Sequence, residues 1–320
     1  MSNSSTQNIA VLGLGTMGHG IAQTFAAAGC DVRGFDEVEA ARDTALDRIR
    51  ANLRLFVEED FAAEADVEPA LQRVTVCADE GEAVAGAQFV IEAVREDLPT
   101  KQELFARVEK LVSPQTILCS NSSSFPMTQI GARLERPQHA VNAHWFNPPH
   151  ITPLVEVVPG RQTSEATVDQ VVALLERAGK MPVRLRAEIP GFLVNRFQIA
   201  LCREVLDLWQ KGIASPQDID RAVCGSMGMR LAAFGPLQVF DFGGIDIGSK
   251  VYGELAPDLC ADTEAPAAIR NMVEEGKLGF KTGGGIFEYD PARRDETLAD
   301  RDRRYVQLAK LFAQRRADAP

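Results

Sequence analysis

Three glycines near the start of the chain have the spacing that lets a backbone cradle a diphosphate. Ile9-Ala10-Val11-Leu12 reads as a short apolar strand running into Gly13-Leu14-Gly15-Thr16-Met17-Gly18 and then an alanine-rich helix. Each glycine has its own reason. Gly13 permits the tight turn, Gly15 lets a pyrophosphate approach the backbone, and Gly18 lets helix and strand pack closely. The unpaired N–H groups at the helix start would face the diphosphate and offset, locally, a chain net charge of −11. A lone G-x-G-x-x-G also marks ordinary turns. Here the strand before it, the helix after it and a second strand ending in Asp36 raise it to a dinucleotide site. Asp36 stands where a carboxylate accepts hydrogen bonds from both adenosine ribose hydroxyls. With Glu37 beside it, a 2′-phosphate would be repelled, so NAD is expected rather than NADP. Arg33 falls within the strand, a poor place for a phosphate clamp.

A second set of polar residues lies further along. Ser120-Asn121-Ser122-Ser123-Ser124 follows a strand, which puts it at the carboxyl edge of a sheet, where cofactors bind. His144-Trp145-Phe146-Asn147-Pro148-Pro149-His150 also follows a strand, Glu156 lies within the next, and Gly191-Phe192-Leu193-Val194-Asn195-Arg196 comes later. On these motifs, with Glu96-Asp97-Leu98-Pro99-Thr100-Lys101 and Gly279-Phe280-Lys281-Thr282-Gly283-Gly284-Gly285, the chain resembles the 3-hydroxyacyl-CoA dehydrogenase family from Ile9 to about Tyr289. That family includes the L-gulonate 3-dehydrogenase (lambda-crystallin) and L-carnitine dehydrogenase branch. The resemblance implies that His144 is a general base, Glu156 its orienting partner, and Ser123 and Asn195 the groups that bind the reacting oxygen. It further implies that Asn121, Glu96 and Lys101 contact the cofactor, alongside the stretch Gly13 to Gly18 and Asp36.

The chemistry wants the same residue types. Oxidising an alcohol requires the O–H proton to leave as a hydride moves to the nicotinamide, and positioned bases such as a neutral imidazole contribute roughly 10²–10⁴-fold. A carboxylate on the other ring nitrogen fixes the tautomer and stabilises the imidazolium. His19, His139 and His150 read as structural, although His150 follows the catalytic segment and could line the pocket mouth. Asn147 is open between holding its loop and touching substrate. A non-catalytic NAD-binding, crystallin-like protein is the alternative from another class; the intact set of His144, Glu156, Ser123 and Asn195 favours an enzyme.

The elements that must position these residues follow from periodicity. From Asn8 to about Arg186, β-rich runs (Ile9–Leu12, Asp31–Phe35, Arg73–Cys77, Gln88–Ala93, Thr116–Ser120, Ala140–His144, Leu154–Val158, Pro182–Leu185) alternate with helical stretches such as Met17–Ala28, Ala40–Glu58, Pro99–Val112 and Glu165–Ala178. That alternation predicts an α/β fold of Rossmann type, a doubly wound and mostly parallel sheet, over residues 1–188. Past Pro190-Gly191 the chain is helical, beginning with Phe192 to Lys211, and Ser215-Pro216 has the types that open a helix. Residues 189–320 are therefore expected to form a helical domain, and the resemblance implies that it serves substrate binding and dimerisation. The tail from Arg293 to Ala319 reads as a solvated helix.

The 320 residues are 45% apolar and 25% charged, the balance of a globular protein. The start, Met1 to Asn8, lacks the pattern of a signal peptide, and no apolar run approaches a membrane span. The six cysteines are widely spaced with no C-x-x-C pair, which reads as buried thiols of a reduced cytoplasm rather than a disulfide frame or metal site. The acidic balance argues against nucleic acid or an anionic membrane as partner.

Two features bear on the substrate. Acyl-CoA members of the family commonly carry lysines where this chain has Glu58 to Glu68, with six acidic residues and no Lys or Arg. Arg48, Arg50 and Arg54, just upstream, could partly restore CoA binding. Gly228-Met229-Arg230 resembles the gulonate and carnitine branch, which implies an Arg230 that pairs with a substrate carboxylate. A small hydroxy carboxylic acid is the favoured substrate, with a 3-hydroxyacyl-CoA as the alternative. The resemblance also implies a homodimer, whereas the residues alone show more apolar helix than one small domain buries.

Overall fold

The computed structural model describes residues 6–317, with side chains to residue 314, and resolves them into two compact units. The first gathers the chain up to Leu193 together with the segment from Thr297 onward. The second runs from Val194 to Glu296.

The first unit is an eight-stranded sheet in the order β3-β2-β1-β4-β5-β6-β7-β8. The strands are β1 Asn8–Leu12, β2 Asp31–Phe35, β3 Val74–Val76, β4 Phe89–Glu92, β5 Ile117–Ser120, β6 Ala140–Trp145, β7 Leu154–Pro159 and β8 Met181–Arg184. Every neighbouring pair is parallel except β6 with β7. Successive side chains alternate faces, so Ile9 and Val11 join one core and Ala10 and Leu12 the other. Burial on both faces is why the central strands are continuously apolar.

The helix Leu98–Val108 starts where Asp97 accepts hydrogen bonds from the Thr100 N–H (3.0 Å) and hydroxyl (2.6 Å), with Pro99 in its first turn. That cap places Lys101 at the start of the helix, beneath the carboxyl edge of β4. The expected helix Ala40–Glu58 is divided at Thr44 into Glu39–Asp43 and Ala45–Glu58.

The last helix, Arg294–Ala317, corrects the expectation of a solvated tail. Val306 and Ala309 are buried against Ile151, Leu55, Phe56 and Phe61, an apolar pair at helical spacing hidden among charges. The division at residue 188 is refined accordingly, because the end of the chain belongs to the sheet unit.

The second unit contains the helices Val194–Gln210, Pro216–Ala222, Met229–Ala233, Pro236–Gly243, Ile245–Leu255 and Ala267–Glu274, with a π-helical turn at Val223–Gly228. Ser215 accepts a hydrogen bond from the Asp218 N–H and caps its helix, as Ser-Pro predicts. Among the described residues of this unit only Asp207 and Ile219 are buried. Phe197, Leu237, Phe242, Ile245 and Tyr252 are exposed. Of the six cysteines only Cys30, Cys77 and Cys119 are buried, so Cys202 and Cys224, exposed on this unit, depart from the expectation.

Candidate active site

The glycine loop has the geometry its sequence implies. Gly13 adopts φ +93°, its N–H donates to Phe35 O (2.8 Å), and a Cβ there would lie 2.5 Å from Ala93 O. A Cβ on Gly18 would lie 1.6 Å from Gly13 O, so any side chain would separate turn from helix. A Cβ on Gly15 would meet nothing within 4 Å, which leaves open the approach a pyrophosphate needs. The helix Gly18–Ala27 begins directly behind this opening. Asp36, half-buried at the end of β2, accepts from the Leu14 N–H (2.7 Å) and the Val38 N–H (2.9 Å), which fixes its carboxylate beside the loop. The open loop, the helix start and a fixed carboxylate together fit NAD.

One part of this cradle was not foreseen. Arg48 reaches under the loop and donates to Leu14 O (2.7 Å), Ala41 O (2.9 Å) and Gly15 O (3.2 Å). Only the tertiary fold brings a residue more than thirty positions away against the loop, so no local pattern marks it. Leu14 needs correction as a cofactor contact, because its side chain is fully buried on Gly34 and its N–H is taken by Asp36.

The carboxyl edges of β4 and β5 carry a polar network. Glu92, wholly buried, accepts from Lys101 Nζ (2.7 Å), Ser120 Oγ (2.6 Å) and the Val94 N–H (2.8 Å). Burial pushes its carboxyl up, against the pull of the Lys101 ammonium. Lys101 reaches Glu96 at 3.1 Å with its other side. Glu96 Oε1 in turn accepts from Ser122 Oγ (2.6 Å), the Ser124 N–H (2.9 Å) and the Ser123 N–H (3.1 Å). Burial alone would raise Glu96, but the Ser122 hydroxyl, Lys101 and the Ser124 N–H outweigh it and hold it below its ordinary value. The network pins the turn that presents Ser123, whose hydroxyl makes no hydrogen bond among the described residues. Lys101 is only 1% exposed, so the expected direct cofactor contact gives way to a role in holding Glu96. Glu92 carries this arrangement with Ser120 and Ser122 and was missed, since a glutamate closing an apolar strand looks like a surface residue.

The antiparallel pair β6–β7 sets His144 directly opposite Glu156. Cross-strand neighbours point to the same face, and His144 Nδ1 lies 2.8 Å from Glu156 Oε2. The second carboxylate oxygen accepts from the Leu193 N–H at 2.9 Å. That contact needs an unusual backbone, since Phe192 adopts φ +49° directly after Gly191 at φ +76°. The left-handed conformation costs a bulky residue about 1–2 kcal/mol, offset by burial of the Phe192 ring on Val158 and Leu185. Phe146 and Phe192 flank the imidazole with ring centroids at 4.5 and 5.5 Å. Asn121 Oδ1 accepts from the Trp145 N–H (2.8 Å), which ties the serine turn to the histidine strand. The carboxylate against Nδ1 fixes the orientation of the imidazole and leaves Nε2 as the ring nitrogen not engaged with Glu156.

Other expected residues are placed apart. Thr16 is exposed on the loop, Met17 is partly buried against the core, and Asn147 is exposed beside a cis peptide bond to Pro148. His150 belongs to a different cleft, between Phe56 and His19, and not to the His144 site. Asn195 lies in the first turn of Val194–Gln210, and Arg230 contacts Ser226 one turn earlier in its own helical stretch; both are in the second unit.

A dinucleotide cradle at one sheet edge beside a histidine–carboxylate pair defines a dehydrogenase that uses NAD and acts on CH–OH groups. Residues 8–189 match the family model described as 3-hydroxyacyl-CoA dehydrogenase, NAD binding domain, and residues 191–289 match its C-terminal domain. The chain belongs to the 3-hydroxyacyl-CoA dehydrogenase family. It is 34% identical over 309 residues to the 5-formyl-3-hydroxy-2-methylpyridine 4-carboxylate 5-dehydrogenase of Mesorhizobium japonicum, covering 96% of this chain and 98% of the relative. It is 36% identical to a probable 3-hydroxybutyryl-CoA dehydrogenase of Bacillus subtilis, with 89% and 98% covered. A solved structure of a 5-formyl-3-hydroxy-2-methylpyridine 4-carboxylic acid 5-dehydrogenase, described as an NAD+-dependent dismutase, superposes with a TM-score of 0.89 at 32% identity, over 96% of this chain and 98% of that one.

Proposed function

We propose that the protein oxidises a small hydroxy carboxylic acid, with His144 as general base. NAD, held by the glycine loop and Asp36, supplies the hydride acceptor. His144 Nε2 takes the hydroxyl proton, Glu156 holds the ring in the tautomer that can accept it, and Ser123 and Asn195 hold the reacting oxygen. Glu96, fixed by Lys101, positions the turn carrying Ser123, and Asn121 lies beside the cofactor. Arg230 anchors the substrate carboxylate, and Asn147 borders the substrate.

The observation that carries the choice of substrate is the state of the three arginines nearest the acidic stretch. Arg48 is turned inward onto the Leu14 and Gly15 carbonyls of the NAD cradle and the Ala41 carbonyl of the neighbouring helix. Arg54 pairs with Glu64 and Arg50 with Asp47. A CoA phosphate would thus meet carboxylates and engaged guanidiniums, a poor complement. The Mesorhizobium relative, whose named substrate is a small aromatic carboxylate, agrees with this reading. A 3-hydroxyacyl-CoA is the second reading, favoured by the Bacillus relative. Initial rates on free hydroxy and hydrated-aldehyde carboxylates, beside 3-hydroxybutyryl-CoA, separate the two. The free acids should turn over, and Arg230→Met should raise their KM by roughly tenfold or more with less effect on kcat. Efficient turnover of the CoA ester alone would overturn the substrate assignment.

The exposed apolar faces of the helical unit support a homodimer in which a second copy covers them. Three buried thiols and an interior without disulfides support a reducing compartment, the cytoplasm. No helix among the described residues is long and apolar enough to cross a membrane.

A further inference from the structure

A cleft of about 360 Å³ opens in the sheet unit between the end of helix Gly18–Ala27, the β6–β7 connection, the turn before β8 and the C-terminal helix. It shares no lining residue with the NAD cradle or the His144–Glu156 pair. Phe56, Phe61, Ile151 and Phe312 give it an apolar wall, and its charged lining groups are Arg177 and Lys180, with no Asp or Glu. In a chain of net charge −11 that is an unusual composition.

Lys180 is 4% exposed and has only neutral partners, the carbonyls of Pro149 (2.6 Å) and Thr152 (3.0 Å) and the Trp145 ring at 5.3 Å. An ammonium has three N–H donors, so one is left for a further acceptor. Nearby, both ring nitrogens of His150 and the Gln23 side-chain nitrogen are buried without hydrogen-bond partners among the described residues. Buried polar groups are ordinarily partnered, and a cluster of exceptions in one cleft asks for an occupant. His150 is pushed down to about 3 by burial, then by His19, Lys180 and Arg301. Burial pushes Lys180 down to about 7.

We propose that this cleft is a second binding site, for a small amphipathic anion whose carboxylate pairs with Lys180 and whose apolar body lies among Phe56, Phe61 and Ile151. His150 and Gln23 supply further donors to the same head group. The pairing removes the mismatch of a buried cation without a counter-ion, and the charge-assisted hydrogen bond gives the site its sign. A phosphate head would fit less well, because a cleft of this size with mostly apolar walls favours a short-chain monoanion over a large hydrated dianion.

The test is a calorimetric titration of the full-length protein, saturated with NAD, with hexanoate and separately with hexan-1-ol. Hexanoate should bind saturably, one per chain, and hexanol far more weakly. Lys180→Met should weaken hexanoate by roughly tenfold or more. Ala27→Trp, at an exposed position on the rim, should block the cleft and abolish binding while leaving the core intact. No saturable hexanoate binding would overturn the proposal. So would unchanged affinity in Ala27→Trp, which would place hexanoate in the catalytic cleft; that variant decides the question alone if Lys180→Met does not fold.

Discussion

In the sheet unit, β4 and β5 are buried at every position, and two apolar clusters fill the two faces of the sheet. In the helical unit two residues are buried, and large side chains such as Leu237 (85% exposed) stand in solvent. The sheet unit completes its own core and holds the cradle, the serine turn and the histidine pair. The helical unit has a length at which a chain normally buries most of its apolar surface. Its apolar helix faces thus remain uncovered in a single chain. The region with a complete core carries the groups proposed as base and cofactor cradle, and the region without one carries Asn195 and Arg230, proposed to hold the substrate.

The largest expected effect tests whether the chemistry is confined to the sheet unit. His144→Gln keeps the size and a hydrogen bond toward Glu156 but removes the base. Turnover should fall by about 10²–10⁴-fold, with NAD affinity, read from quenching of protein fluorescence, nearly unchanged. Surviving turnover would move the base elsewhere and break the comparison.

The next effect lies in the polar network beneath the active site. Lys101→Met leaves Glu92 buried without its cation, and breaking such a pair costs about 3–5 kcal/mol. Urea unfolding should report that loss, and adding Glu92→Gln to the same variant should recover much of it. A loss confined to NAD affinity, with stability unchanged, would restore Lys101 as a direct cofactor contact.

A third change sharpens the contrast between the units. Leu237→Asp alters a side chain that is almost fully exposed in a single chain, so by itself it should leave folding intact. If a second copy covers that face, burying the carboxylate should weaken self-association by at least ~tenfold, seen in sedimentation as a shift toward monomer. An unchanged mass would place the interface on another face.

Much of this architecture was legible because its signals are local. The glycine loop, the apolar strands and the Ser215 cap depend on residues within a few turns, whereas the partnership of His144 with Glu156 was implied by the family resemblance. The parts that were not legible depend on long-range contact. Arg48 reads as a surface cation until the fold brings it under Leu14 and Gly15. Lys101 reads as a cofactor ligand until Glu92 and Glu96 enclose it. Val306 and Ala309 sit in a helix so rich in charge that their stripe emerges only against Phe56 and Ile151.

The smallest effect concerns how firmly the sheet unit holds its substrate-facing turn. Glu96 is held below its ordinary value in the folded protein by the donors of Ser122 to Ser124 and by Lys101, while the unfolded chain returns it toward 4.5. A group with a depressed folded value stabilises the fold above the unfolded value, and that contribution is lost as pH falls through the folded value. Since Glu96 is partly open to solvent, the global change should be slight, and the sensitive readout is local. The protection factors of the Ser123 and Ser124 amides, taken against intrinsic exchange at each pH, should fall on acidification below about pH 4.5, whereas Glu96→Gln should be less protected at neutral pH and lose the acid dependence. Equal protection in the two proteins across that range would mean that the turn is held by its own backbone, and that Glu96 is free to serve the cofactor instead.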